Sequence, residues 1–351
     1  EDASQTINIT DAFLDLIAGA VIIGDAATGP ITIAVDNNLT QNKNLTFVSG
    51  STISVTGFGA GPAITTTAGG TVTMTNAGTL TIGAVGDMSL DGAFIQNGAG
   101  TVSTAGDITT TNDNISFATA VTLTGPVALN TSAGIGTITF SSTVNGGYSL
   151  GLTAGTGNVS MAGDVGGITP LTSFTVNSAT LVDLQKVTTA NSIAVTGGTI
   201  DLNSTSYVSN TAGSITFTGP VNLAASPTVA SHNGNVTFTS TVLDTVINTN
   251  TLTVNADNGT VTFSGAVGSA LLYPNTLTVT AKDTLFSSTA QVGTGGLKVT
   301  GVGNSTTTLT DDITSAGDVT MDDNVTLQAT SSLTPAPLLR PCALPALLMP
   351  I

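Results

Sequence analysis

The sequence predicts an all-β protein built as a β-solenoid, a right-handed parallel β-helix, with rungs of about 20–25 residues nested in tandem units of about 100 residues. Three observations point there. First, a nine-residue phrase keeps returning: Gly, any residue, Val/Ile, Thr/Ser, Phe/Met, three small or polar residues, then Val. It starts at Gly136 (GTITFSSTV), Gly157, Gly213, Gly234, Gly259 and Gly317 (GDVTMDDNV), and without its glycine at Asp113 (DNISFATAV). Second, the phrases recur in blocks: Asp113 answers to Gly213, Gly136 to Gly234, Gly157 to Gly259 and Gly213 to Gly317. Third, only 4% of residues are aromatic, none is Trp and 7% are charged. Such a chain cannot fill one thick core, but it can fill a long thin one in which small residues suffice.

Within each phrase the apolar residues are two apart, as in Val236 and Phe238, so a strand puts them on one face and Thr237 on the other. The phrase reads as a strand with an apolar inner face and a threonine outer face, opened by a glycine turn. Phe117, Phe140, Met161, Phe217, Phe238, Phe263 and Met321 are expected to form one internal stack. Gly136, Gly157, Gly213, Gly234, Gly259 and Gly317 are expected to be the glycines of the rung turns.

Along the chain, 1–25 reads as an N-terminal cap, in which Thr10 or Asp11 starts a short helix carrying Phe13, Leu14, Leu16 and Ile17. Segment 26–112 is strand-rich but irregular, and continuous with the array. Repeat units follow at 113–212 and 213–316, and a third, truncated one at 317–334. The segment 335–351 carries five prolines (Pro335, Pro337, Pro341, Pro345, Pro350) and reads as a Pro/Leu-rich tail. A string of β-sandwich modules is the alternative architecture. The solenoid is preferred because a sandwich has no reason to repeat a phrase every 21–25 residues inside each unit.

Twenty-one acids against five bases give a net charge of −16. A chain so poor in Lys and Arg has no basic stripe for phosphates, which excludes nucleic acid as an expected partner. Cys342 is the sole cysteine, so neither an internal disulfide nor a cysteine metal site is expected. The apolar run 18–23 is too short to span a bilayer, so no membrane-spanning segment is expected.

Candidate chemistry is sparse. Gly147-Tyr148-Ser149-Leu150-Gly151 matches the G-x-S-x-G pattern of a nucleophile elbow, but that motif needs a helix after the turn and a histidine partner. The one histidine is His232. Asp311–Asp312, Asp322–Asp323 and Asp87 with Asp91 are the acids that would suit Ca2+, yet they lack the spacing of a calcium loop. No cofactor and no catalytic residue is therefore expected, with Ca2+ the one metal kept open. Thr71-Val72-Thr73, Thr251-Leu252-Thr253 and Thr278-Val279-Thr280 have the look of a flat ice-binding face.

The phrases GSITFTGPV, GNVTFTSTV and GTVTFSGAV resemble repeats of very large bacterial surface exoproteins, the filamentous-haemagglutinin-like and autotransporter-like adhesins. The resemblance covers about 113–330. It implies a parallel β-helix, an extracellular or cell-surface location, and a role in adhesion or surface coating. The NPNGI-type motif of the two-partner secretion domain is not found in 1–112, which leaves the export route open. The expected function is a non-enzymatic structural rod, either an adhesin stalk or a self-assembling fibre or surface-coat subunit. Its partners would be copies stacked end to end, or a host or matrix surface. The alternatives are an ice-binding or carbohydrate-binding solenoid and, more remotely, a polysaccharide-active enzyme.

Overall fold

The computed structural model describes residues 9–35, 39–57, 61–328 and 331–335. It is a parallel β-solenoid of about 14 turns, with almost no helix. Strand formation follows from alternation. In Ile115–Phe117, Ile138–Phe140 and Val159–Met161 the first and third residues are buried and the middle one is partly exposed. A single rung of this kind cannot cover its own apolar side, so rungs stack and each closes the one below.

Every coil visits three faces. On face one Val21 lies beside Leu45, Leu45 beside Val72, and the column continues through Phe94, Ile115, Ile138, Val159 and Val182 to Val242. Face two starts at Ile31, passes through Ile53, Leu80, Val102 and Val121, and arrives at Tyr207, Val254 and Val299. Face three starts at Leu39 and passes through Ile64, Met88, Ile108, Leu129 and Leu152 to Phe217 and Phe286. All these pairings are parallel, and their inward side chains form one continuous apolar core. Parallel pairing with the next coil, not a hairpin partner, is what rules out separate sandwich modules.

The phrase does not mark one column. Phe117, Phe140 and Met161 line face one, where Phe117 and Phe140 stack at 5.1 Å and Phe94 leans on Phe117 at 5.3 Å. Phe217, Phe238 and Phe263 line face three and continue into Phe286, with ring centroids 5.1–5.4 Å apart. Met321 sits on face two, beside Val299, and is only partly buried. The expected single stack is therefore two stacks and an outlier. The reason is arithmetic: a unit of about 100 residues winds about four and two-thirds coils, so each unit begins on a different face from the last.

The N-terminal end is covered by helix α1 (Asp11–Asp15). Thr10 caps it, its hydroxyl accepting from the Phe13 N–H at 3.2 Å. Leu14 is buried, while Phe13 and Leu16 are exposed. Two ties hold α1 to the first coil. The buried Gln41 amide donates to Asp11 and Asp15, and Lys43 Nζ donates to the carbonyls of Leu14 and Ile17 at the end of the helix. At the opposite end of the described coils Val325, Leu327 and Leu333 are 43%, 54% and 39% exposed. The Pro/Leu-rich tail after Pro335, Cys342 included, lies outside the described residues. Among the described residues no helix is long and apolar enough to cross a membrane.

Candidate functional site

The phrase glycines sit at the rung corners, where the N–H groups of Gly157, Gly234 and Gly259 close turns onto the carbonyls of Ala154, Ser231 and Ala256. Gly136, Gly157, Gly213, Gly234, Gly259 and Gly317 are all absent from the residues with positive φ. A Cβ at any of them would come closer than 3.0 Å to backbone of the coil below. Gly157 meets the carbonyl of Gly136, Gly234 that of Gly213, and Gly259 that of Gly234. These corners need glycine so that two backbones can touch.

The acids singled out for calcium accept hydrogen bonds from backbone N–H groups and hydroxyls. Asp87 Oδ1 accepts from the Asp107 N–H, Asp91 Oδ2 from the Gly69 N–H, and Asp322 Oδ1 from the Gly301 N–H, each from a neighbouring coil. Asp311 accepts from the Asp312 N–H, Asp312 from the Ser332 N–H and hydroxyl, and Asp323 Oδ2 from the Thr307 hydroxyl. Among the described residues no three His, Cys, Asp or Glu side chains converge to hold a metal.

Ser149 opens the strand Ser149–Thr153, paired on both sides, and the next element is another strand, Val159–Met161. His232 sits at a corner four coils further on, roughly 20 Å away at the usual strand spacing. Its Nδ1 lies 2.9 Å from the Ser209 carbonyl. Serine and histidine are not brought together. The threonines do line up: Thr251 and Thr253 stand beside Thr276 and Thr278 on face two, and Thr216, Thr237 and Thr262 form a column on face three.

One place on the outer surface departs from this plain covering. On face three the outward column reads Asp107, Ala128, Gly151, Thr175 in successive coils. Beside it runs a second outward column that includes Ser149 and Ser173. Together with Pro126 they line an open groove of about 320 Å³, floored by Ala128 and Gly151. The Asp107 carboxylate borders the groove, with Oδ1 accepting from the Ala128 N–H at 2.7 Å. Burial pushes this carboxyl above the ordinary range, the Ala128 N–H pulls it back, and the charge of Asp87 adds to the rise.

Nothing in the repeat phrase pointed to Asp107, Ala128, Ser173 or Thr175. The available signal was Gly151. In SLGLT the alternation places Leu150 and Leu152 inward, so Gly151 faces out of a strand interior, where glycine weakens the sheet.

Stacked parallel coils around one apolar core define a β-solenoid repeat protein, a class that includes repeat regions of surface proteins. No known family model, curated protein or solved structure matches the chain.

Proposed function

We propose that the chain is a non-enzymatic structural rod of the cell surface or the extracellular space, working as the stalk of an adhesin. The observation that carries this reading is the rotation of the repeat phrase. A protein that recognises its target through one flat face has reason to keep its best rows on that face. Here the phrase moves from face one to face three to face two along the chain, which builds length evenly and favours no side. The covering of outward Thr, Ser and Asn suits a long surface in contact with water, and the excess of acids keeps such rods apart.

Between a stalk and a fibre subunit, the N-terminal end favours the stalk. A second copy stacking there would have to displace α1 and break the ties of Gln41 and Lys43. Negative-stain imaging and light scattering at high protein concentration test the proposal. The expected particle is a single rod of roughly 70 Å, from about 14 coils at ~4.8 Å each. Filaments that lengthen with concentration would overturn the stalk in favour of the fibre.

A further inference from the structure

We propose that the groove on face three is a binding site for a neutral oligosaccharide, seated over Gly151. This goes beyond the rod reading and stands or falls without it.

The argument begins with why Gly151 is a glycine. A glycine inside a strand costs stability, so a position that keeps one normally has a backbone reason. The phrase glycines have that reason, since a Cβ would strike the coil below. Gly151 has none: the nearest atom to a Cβ built there is the Val127 carbonyl oxygen at 4.0 Å, and its φ is not positive. The neighbouring outward position is Ala128, also small; further along, the column carries Thr175, Ala194, Thr216, Thr237 and Thr262, where the one other small residue stands alone between threonines. At Ala128 and Gly151 two adjacent rows lack a covering side chain, and an open depression results. A glycine that sheet packing does not require is the mark of a place where something else approaches the backbone closely.

The rim states what would fit. Ser149, Ser173 and Thr175 bring three hydroxyls that both donate and accept. Asp107 brings a carboxylate whose Oδ1 is engaged by Ala128, while Oδ2 makes no hydrogen bond among the described residues. Pro126 and the Ala128 methyl supply apolar surface. An apolar floor with a few convergent acceptors and hydroxyls suits a molecule with apolar ring faces and many hydroxyl groups. The volume lies at the small end of ligand sites, about 300–1,000 Å³, which is room for a sugar residue or two. Asp107, the neighbouring Asp87 and the net charge of −16 oppose anionic sugars, and the hydroxyls of the rim suit an uncharged one.

The test uses the whole chain with cellotriose, maltotriose, mannotriose and chitotriose as probes, followed by NMR chemical-shift perturbation and calorimetric titration. Two variants accompany the wild type. Gly151→Thr fills the groove with a residue its backbone tolerates and strands favour, and Asp107→Asn removes the charge. The expected result is millimolar binding of at least one probe, with shifts centred on Ala128, Gly151 and Thr175. Gly151→Thr should weaken that binding at least tenfold while leaving the melting temperature equal or higher. Asp107→Asn should weaken it several-fold. The proposal is overturned if none of the four probes binds the wild type, or if a bound probe is held equally well by Gly151→Thr.

Discussion

Replacing Phe238 by alanine probes how the thin core carries its stability. Phe238 is fully buried between Phe217 and Phe263, with ring centroids 5.4 and 5.2 Å away. Losing the burial of such a side chain costs about 1.5–3 kcal/mol in transfer free energy. The cavity left behind raises typical Phe→Ala losses to about 3–5 kcal/mol. Its walls are backbone ladders fixed above and below by the next coils, so they cannot fall inward to fill the gap, and the loss should lie in the upper half of that range. Phe238→Leu, which keeps most of the volume but ends the ring stack, should cost about 1–2 kcal/mol. Urea unfolding followed by far-UV circular dichroism gives both values. Because each coil contacts only its neighbours, hydrogen exchange should quicken around 215–263 and leave the coils near 72–117 unchanged. A loss below about 1 kcal/mol for Phe238→Ala, or equal quickening along the whole chain, would refute a core built of local stacks.

Gly234→Ala should destabilise by about 1–3 kcal/mol, since its Cβ meets the Gly213 carbonyl, whereas Gly147→Ala, with open space around it, should stay within about 0.5 kcal/mol; thermal melts of the two separate close approach from turn conformation as the role of the phrase glycines. Asp244→Ala should cost about 2–4 kcal/mol by urea unfolding, because the buried carboxylate accepts from the N–H groups of Val246, Thr249 and Asn250 and from Asn250 Nδ2, and those donors would lose their partner. Asp183 stands next to Asp201 on the outside of face one, and burial first, then that neighbouring charge, raise its carboxyl above the ordinary range against the Asn203 hydrogen bond. The folded chain thus holds that proton more tightly than the unfolded chain, so this site favours folding at low pH and loses its contribution as pH rises through the folded value. Asp183→Asn should therefore melt higher than the wild type at pH 7, with the difference fading as both are taken to acid; a variant that melts lower at pH 7 contradicts the sign.

Much of the fold was legible because each strand states its own alternation. Val236-Thr237-Phe238 tells its inner and outer residues without help from the rest of the chain, and repetition turns that into stacking. The face on which a strand lies is not written locally. A buried-exposed-buried triplet serves equally well on any of the three sides, so Phe140 and Phe238 look equivalent in sequence and stand on different faces. Only the lengths of all the intervening corners decide that, and these vary irregularly, as the close spacing of Val182 and Ile200 on face one illustrates. The close approach that the phrase glycines permit was hidden for a related reason. Glycine serves both turns and close approach, and the second role depends on a backbone about a full coil away. The groove was half legible: alternation already turned Gly151 outward, while Asp107 and Thr175 join it only through register.

The mismatch between unit and coil has a further consequence for how such a rod can change. Gain or loss of one unit of about 100 residues would alter the length by about four and two-thirds coils, or about 22 Å. The junction would still form, because the phrase is accepted on every side. Everything beyond it would be swung through a third of a circle. Anything displayed on the far portion would then point in a new direction, and only a change of three units would restore the original bearing. In this architecture copy number is also an angular setting.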